Sequence, residues 1–161
     1  MTPEQLHRAT LTATAFGQAE RYAQLREHFG PHDHRNEFEH LEGAAAACLT
    51  HRLGPPTTQE GTTGPVNAAK ARGRNEIGAL MAELRAAGPE HDPPANLLEL
   101  EAAIRGLRGE PHLTAEIGTD RLRTAYRYLI RYLTDTQPDI RNDFNELIRQ
   151  AREHIMRRLT G

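Results

Sequence analysis

The chain has 161 residues, with 20 basic and 22 acidic side chains and a net charge of −2 at pH 7. This length suits one domain that buries its own core. This near balance of charge falls short of the strongly basic character expected of a dedicated nucleic-acid binder. No stretch approaches the roughly 20 apolar residues that cross a bilayer, so we expect no membrane partner.

Cys48 is the single cysteine and lies in an apolar helical stretch, so it cannot form an internal disulfide. We expect it to pack as a small apolar side chain in a reducing compartment. The first residues after Met1 lack the apolar segment of a secretion signal. Together these observations predict a cytoplasmic location.

Apolar residues recur at helical spacing in six segments that glycine and proline separate. The first segment begins at Thr2, a favourable N-cap before Pro3, and continues to Phe29. In the second segment Asp33 is the predicted N-cap, and Gly54 marks the end. A connection rich in glycine, proline and threonine follows at about residues 54–65, and we expect it to be mobile.

The third segment runs from Pro65 to Ala87 and includes Gly78, a residue type that often marks close packing when it lies inside a helix. The remaining segments cover residues 97–107, 122–133 and 136–159, and Thr136 is the predicted N-cap of the last. The alternation typical of strands does not occur. The sequence therefore predicts an all-α fold, a single-domain bundle of five or six helices over residues 1–161.

Four of the nine histidines lie within residues 28–40. Glu37-x-x-His40 places a carboxylate and an imidazole one helical turn apart, as in di-iron bundles, and Glu4-x-x-His7 repeats that spacing. On a helical projection, however, His40 lies about 130° from the apolar centre of its helix, so we expect it to point away from the core. We therefore predict no metal site and no cofactor.

The segment Arg35-Asn36-x-x-x-His40 resembles the short signature of the helical HEPN ribonucleases. The resemblance implies that Arg35 binds the scissile phosphate and that His40 moves protons, in a site completed across a dimer. Both side chains suit that chemistry, because a guanidinium holds a phosphate bidentately and an imidazole titrates near neutral pH. Six residues carry the resemblance, and they lie in the second predicted helix, whereas the family signature lies toward the last helices.

A row of arginines and tyrosines lies along the fifth predicted helix: Arg123, Arg127, Arg131, Tyr128 and Tyr132. Such a row suits phosphate groups or an acidic partner. An arginine row is more usually a solvated helix face, and here Asp120 and Asp135 can neutralise its ends. Residues 117–161 carry nine basic and six acidic side chains, so their charge of +3 permits nucleic-acid binding without indicating it.

The sequence contains no phosphate-binding glycine loop, no paired cysteines and no serine. We therefore predict a non-catalytic accessory or regulatory protein that acts through protein–protein contacts or self-association. One alternative is a metal-independent ribonuclease that uses Arg35 and His40. The other is a nucleic-acid-binding subunit that uses the arginine and tyrosine face.

Overall fold

The computed structural model describes residues 2–54, 66–87 and 96–160, and this part of the chain forms α-helices without a β-strand. The predicted all-α class is confirmed. The described residues form eight α-helices: α1 Pro3–Ala15, α2 Ala19–Arg26, α3 Asp33–Leu53, α4 Val66–Ala87, α5 Leu97–Leu107, α6 Thr119–Thr136, α7 Pro138–Asn142 and α8 Phe144–Thr160. The predicted count of five or six helices is wrong, because the first and last segments are each divided into two.

The first division falls at Gly17, between α1 and α2. Its φ of +67° is a left-handed conformation that residues with side chains rarely adopt. Arg131 on α6 packs against this turn, since a β-carbon at Gly17 would lie 2.8 Å from Arg131 Cζ. Apolar spacing continues across the turn, so the sequence pattern alone joins the two helices.

The second division falls between α7 and α8, and it corrects the predicted role of Thr136. This residue is the last of α6 rather than an N-cap, and its hydroxyl donates to the carbonyl oxygen of Tyr132 at 2.8 Å. A threonine hydroxyl can bond in this way to a carbonyl one turn earlier, which competes with capping. Gln137 precedes α7, and Pro138 is the first residue of that helix.

The predicted N-cap at Thr2 is confirmed. The Gln5 N–H donates to the Thr2 hydroxyl at 3.2 Å, and the Thr2 N–H donates to the Gln5 side chain at 2.9 Å, which completes a capping box. The predicted N-cap at Asp33 is wrong, because Asp33 is the first residue of α3. Its carboxylate accepts the Gly30 N–H at 2.7 Å and so closes the turn before α3.

Helix α3 occupies the centre of the bundle and packs against α1, α6 and α8. Its apolar side chains enter the main core with those of α6 and α8. Residues there that are at most 2% exposed include Leu41, Leu49, Leu129, Leu133 and Ile148. Helices α3 and α8 come close at Gly43, where a β-carbon would lie 3.1 Å from the carbonyl oxygen of Ala151. A separate apolar cluster of Leu6, Ala13, Tyr22 and Leu25 joins α1 to α2.

Cys48 is buried in the main core, as the sequence predicts. Burial raises the pKa of its thiol to about 12, so the side chain stays protonated at neutral pH. A protonated, buried thiol is a poor nucleophile and behaves as an apolar group.

Gly78 does not mark close packing, which corrects the prediction for this position. A β-carbon at Gly78 would meet no atom within 4 Å in the described part of the chain. Apart from Gly54, the predicted connection at residues 54–65 lies outside the described residues. Of the helices in the described ranges, none has the combination of length and apolar character needed to span a membrane.

Candidate functional site

Glu37 lies on the inward face of α3, one turn before Leu41, and it is 1% exposed. A charge in such a place requires partners, since a buried carboxylate loses its hydration. Arg123 on α6 supplies the main partner, with its Nε 2.9 Å from Glu37 Oε1. Tyr22 on α2 donates its hydroxyl to Oε2 at 3.2 Å, and Arg26 Nε lies 3.9 Å from the same oxygen. The carboxylate thus joins α2, α3 and α6, and we call Glu37 with Tyr22, Arg26 and Arg123 the joint around Glu37.

The ring of Tyr22 is held between this carboxylate and two guanidinium groups. Arg127 Cζ lies 3.7 Å from the ring centroid and Arg26 Cζ lies 5.8 Å from it, both within the range of a cation–π interaction. Burial raises the pKa of Tyr22 above its ordinary value of 10.0, and the negative charge of Glu37 adds to the rise while Arg127 opposes it. Tyr22 is therefore a hydrogen-bond donor at neutral pH rather than a phenolate.

His7 on α1 and His40 on α3 form a stacked pair beside this joint. Their ring centroids are 4.7 Å apart and their planes differ by 14°. Nδ1 of His40 lies 2.6 Å from the carbonyl oxygen of Asn36. Because a carbonyl oxygen only accepts, this contact places the His40 proton on Nδ1. His40 is half-buried, because α1 covers that side of α3 and provides His7 as a neighbour.

The environment of His7 disfavours its charged form. The residue is buried, Phe29 lies edge-on to its ring, and Asp33 Oδ1 lies 3.7 Å from its Nε2. Burial lowers the pKa of His7, and the charge of His40 lowers it further, while Asp33 opposes both effects. His7 is therefore neutral at neutral pH.

We expect acidification to destabilise the fold through His7. Because its pKa in the folded protein lies below the ordinary value of 6.5, the unfolded chain binds a proton first as the pH falls. The stability linked to His7 is complete above pH 6.5 and decreases from there toward its lowered pKa. The melting temperature of wild type and of His7→Leu, measured between about pH 7.5 and 5.5, should decrease less steeply in the variant.

His51→Leu provides the matched control, because His51 is an exposed histidine on α3. It should keep the wild-type slope of melting temperature against pH. Equal slopes in wild type and His7→Leu would show that His7 does not couple folding to protonation.

The two Glu-x-x-His spacings bring their histidines together and separate their glutamates. Glu4 pairs with Arg152 on α8 at the protein surface, whereas Glu37 pairs with Arg123 inside the bundle. No group of three or more histidines, cysteines and carboxylates able to hold a metal ion occurs among the side chains described in residues 2–54, 66–87 and 96–160.

Arg35 and His40 have different surroundings. The Arg35 side chain is 86% exposed and its Nε lies 3.9 Å from Glu39 Oε1, which is a surface pair on α3. His40 is half-buried against His7. Among the described residues the two side chains share no hydrogen-bond, ion-pair or ring-contact partner. His34, from the same histidine-rich segment, instead places Nδ1 3.3 Å from Arg26 Nη2.

The arginine and tyrosine face of α6 turns toward the bundle more than its spacing suggested. Tyr128 and Tyr132 are each 4% exposed and stack on one another with centroids 6.4 Å apart. The hydroxyl of Tyr132 donates to Glu83 Oε1 at 3.3 Å. In this conformation the two tyrosines offer little surface to a partner. The binding role of this face stays a prediction.

The ends of the arginine row meet the carboxylates that the sequence indicated. Arg123 Nη1 lies 2.6 Å from Asp120 Oδ1, and Arg131 Nε lies 3.7 Å from Asp135 Oδ2. Sequence reasoning missed the inward partners of the row, namely Glu37 and Tyr22. The available signal was a glutamate four residues before Leu41, on the apolar stripe of its own helix.

Comparisons with protein-family models, curated proteins and solved structures found no match.

Proposed function

We propose that this chain is a non-catalytic accessory or regulatory protein of the cytoplasm that acts through contacts with a protein partner or with a second copy of itself. The main support for this proposal is the joint around Glu37, where Tyr22, Arg26 and Arg123 contact one carboxylate and hold three helices together. The charged and hydroxyl side chains around Glu37 are thus used to stabilise the fold. A buried polar joint with defined partners fixes the relative positions of helices, which suits a protein that presents a rigid surface.

The surroundings of Arg35 and His40 support this proposal over the ribonuclease alternative. RNA cleavage by this pair requires both groups to reach the same phosphate. Arg35 extends into solvent beside Glu39, whereas His40 stacks on His7 under cover of α1.

An RNA cleavage assay tests the catalytic alternative. Purified wild type, Arg35→Ala and His40→Ala, matched by circular dichroism, are incubated with labelled single-stranded and structured RNA, with and without divalent metal. We expect no cleavage by any of the three proteins. If wild type cleaves RNA and both folded variants do not, the chain is instead a ribonuclease that uses Arg35 and His40.

Sedimentation velocity and reconstitution test the contact proposal. We expect either concentration-dependent self-association of the pure chain or a stoichiometric complex that re-forms when the chain is mixed with a purified partner from its source cells. A chain that stays monomeric across the concentration range and forms no reconstituted complex would contradict the proposal.

A further inference from the structure

Positive charge exceeds negative charge where α2 meets α6. Three guanidinium groups lie around Tyr22 and Glu37. Arg123 Nε lies 2.9 Å from Glu37 Oε1, and Arg123 also contacts Asp120. Arg26 reaches Glu37 at 3.9 Å, which is a weak contact. Arg127 has no carboxylate within 4 Å in the part of the chain that the structure describes. Two guanidinium groups therefore carry charge that the described carboxylates leave largely unneutralised.

Both guanidinium groups lie within cation–π range of the ring of Tyr22. Arg127 Cζ lies 3.7 Å and Arg26 Cζ 5.8 Å from its centroid, and the hydroxyl bond to Glu37 holds the ring in place. The site is open to solvent on one side, because the Arg26 side chain is 37% exposed and Arg127 is half-buried. His34, with Nδ1 3.3 Å from Arg26 Nη2, adds an exposed imidazole at the rim.

Partial burial strengthens the attraction of such a pair for an anion. Charges near a protein surface interact several times more strongly than charges in bulk water. Guanidinium groups also match the geometry of phosphate oxygens, to which they donate paired hydrogen bonds. Two positive groups fixed around one ring suit a ligand with two negative charges.

We propose that Arg26 and Arg127, with His34 at the rim, bind a phosphate group, either as the free ion or on a small phosphorylated molecule. The contact of Arg123 with the Glu37 carboxylate offsets the repulsion between Glu37 and this ligand. The site is independent of the partner contacts proposed above, since it needs only the single chain. Arg127, which belongs to the arginine row, then binds a small anion rather than a macromolecule.

Phosphate titration of the full chain tests the site, with calorimetry and the phosphorus NMR signal as readouts and NaCl holding the ionic strength constant. We expect saturable binding at one site. Arg26→Gln and Arg127→Gln should each weaken it about tenfold, the effect expected for losing charge-assisted hydrogen bonds. Arg35→Gln is the matched control, because it removes the same charge from an exposed side chain and should leave the affinity unchanged.

Three results would overturn the proposal. One is the absence of saturable binding by folded wild type, and another is an equal loss of affinity in Arg35→Gln. The third is preferential binding of a single-stranded oligonucleotide that phosphate does not displace, which would assign the face to nucleic acid. If Arg127→Gln fails to fold, Arg127→Lys keeps the charge and should still bind more weakly, because lysine lacks the paired donors.

Adenosine monophosphate and adenosine distinguish the two sources of the phosphate group. Tighter binding of the monophosphate than of inorganic phosphate, with no binding of adenosine, supports a small phosphorylated molecule as the ligand. Equal affinity for the monophosphate and inorganic phosphate supports the free ion. Binding of adenosine as tight as that of the monophosphate would overturn the proposal.

Discussion

Glu37→Gln is expected to lower the free energy of unfolding by about 1–3 kcal/mol, because in the described part of the chain it leaves the largely buried Arg123 with only the exposed Asp120 as a carboxylate partner. Glutamine keeps the shape of the side chain, so the change isolates the charge. The Tyr22 hydroxyl would also lose a charged acceptor, and charge-assisted bonds are stronger than neutral ones. Denaturant unfolding followed by circular dichroism measures the loss.

Glu39→Gln is the matched control for this change. Glu39 lies two residues further along α3, and its partner Arg35 is a solvent-exposed side chain. Exposed pairs of this kind contribute about 0–1 kcal/mol, so the control should remain close to wild type. A Glu37→Gln protein as stable as Glu39→Gln would mean that Arg123 reaches solvent without cost, and the joint would then contribute little to stability.

Gly43→Leu is expected to lower the free energy of unfolding by about 1–3 kcal/mol, the usual cost of overpacking a core. A β-carbon at Gly43 would lie 3.1 Å from the carbonyl oxygen of Ala151, and the rest of a leucine side chain needs further room. The obstacle is the backbone of α8, which cannot rotate away as a flexible side chain can. Relief requires α3 and α8 to move apart.

Gly78→Ala separates this packing effect from helix propensity. Gly78 also lies inside a helix, but a β-carbon there would meet nothing within 4 Å in the described part of the chain. Alanine should therefore stabilise the protein by about 0.5–1 kcal/mol, through propensity alone. A Gly43→Leu protein at least as stable as wild type would show that α3 and α8 adjust without loss, contrary to the close approach at that position.

Local signals in the sequence predict most of the secondary structure, because those signals act over a few residues. The capping box at Thr2 depends on Gln5 within the same turn. The division at Gly17 could not be predicted in this way, since the apolar spacing continues through it. Arg131 packs against the turn at Gly17, although it lies more than a hundred residues further along the chain.

The candidate site was predictable in its components but not in its assembly. Spacing identified Arg123 and Arg127 on one helix face and identified both Glu-x-x-His pairs. It could not show that α1 crosses beside α3 and stacks His7 on His40. The position of Glu37 on an apolar stripe hinted at burial, but spacing could not identify Arg123 on a distant helix as the partner that a buried carboxylate requires.

The distance along the chain between Glu37 and Arg123 has a consequence for synthesis on the ribosome. Translation produces α1, α2 and α3 long before α6, so the carboxylate of Glu37 emerges without the arginine that neutralises it. Helix α3 also obtains much of its apolar packing from α6 and α8. The N-terminal third of the nascent chain therefore waits in an incomplete state, with its apolar face available to chaperones, until the last third has left the exit tunnel.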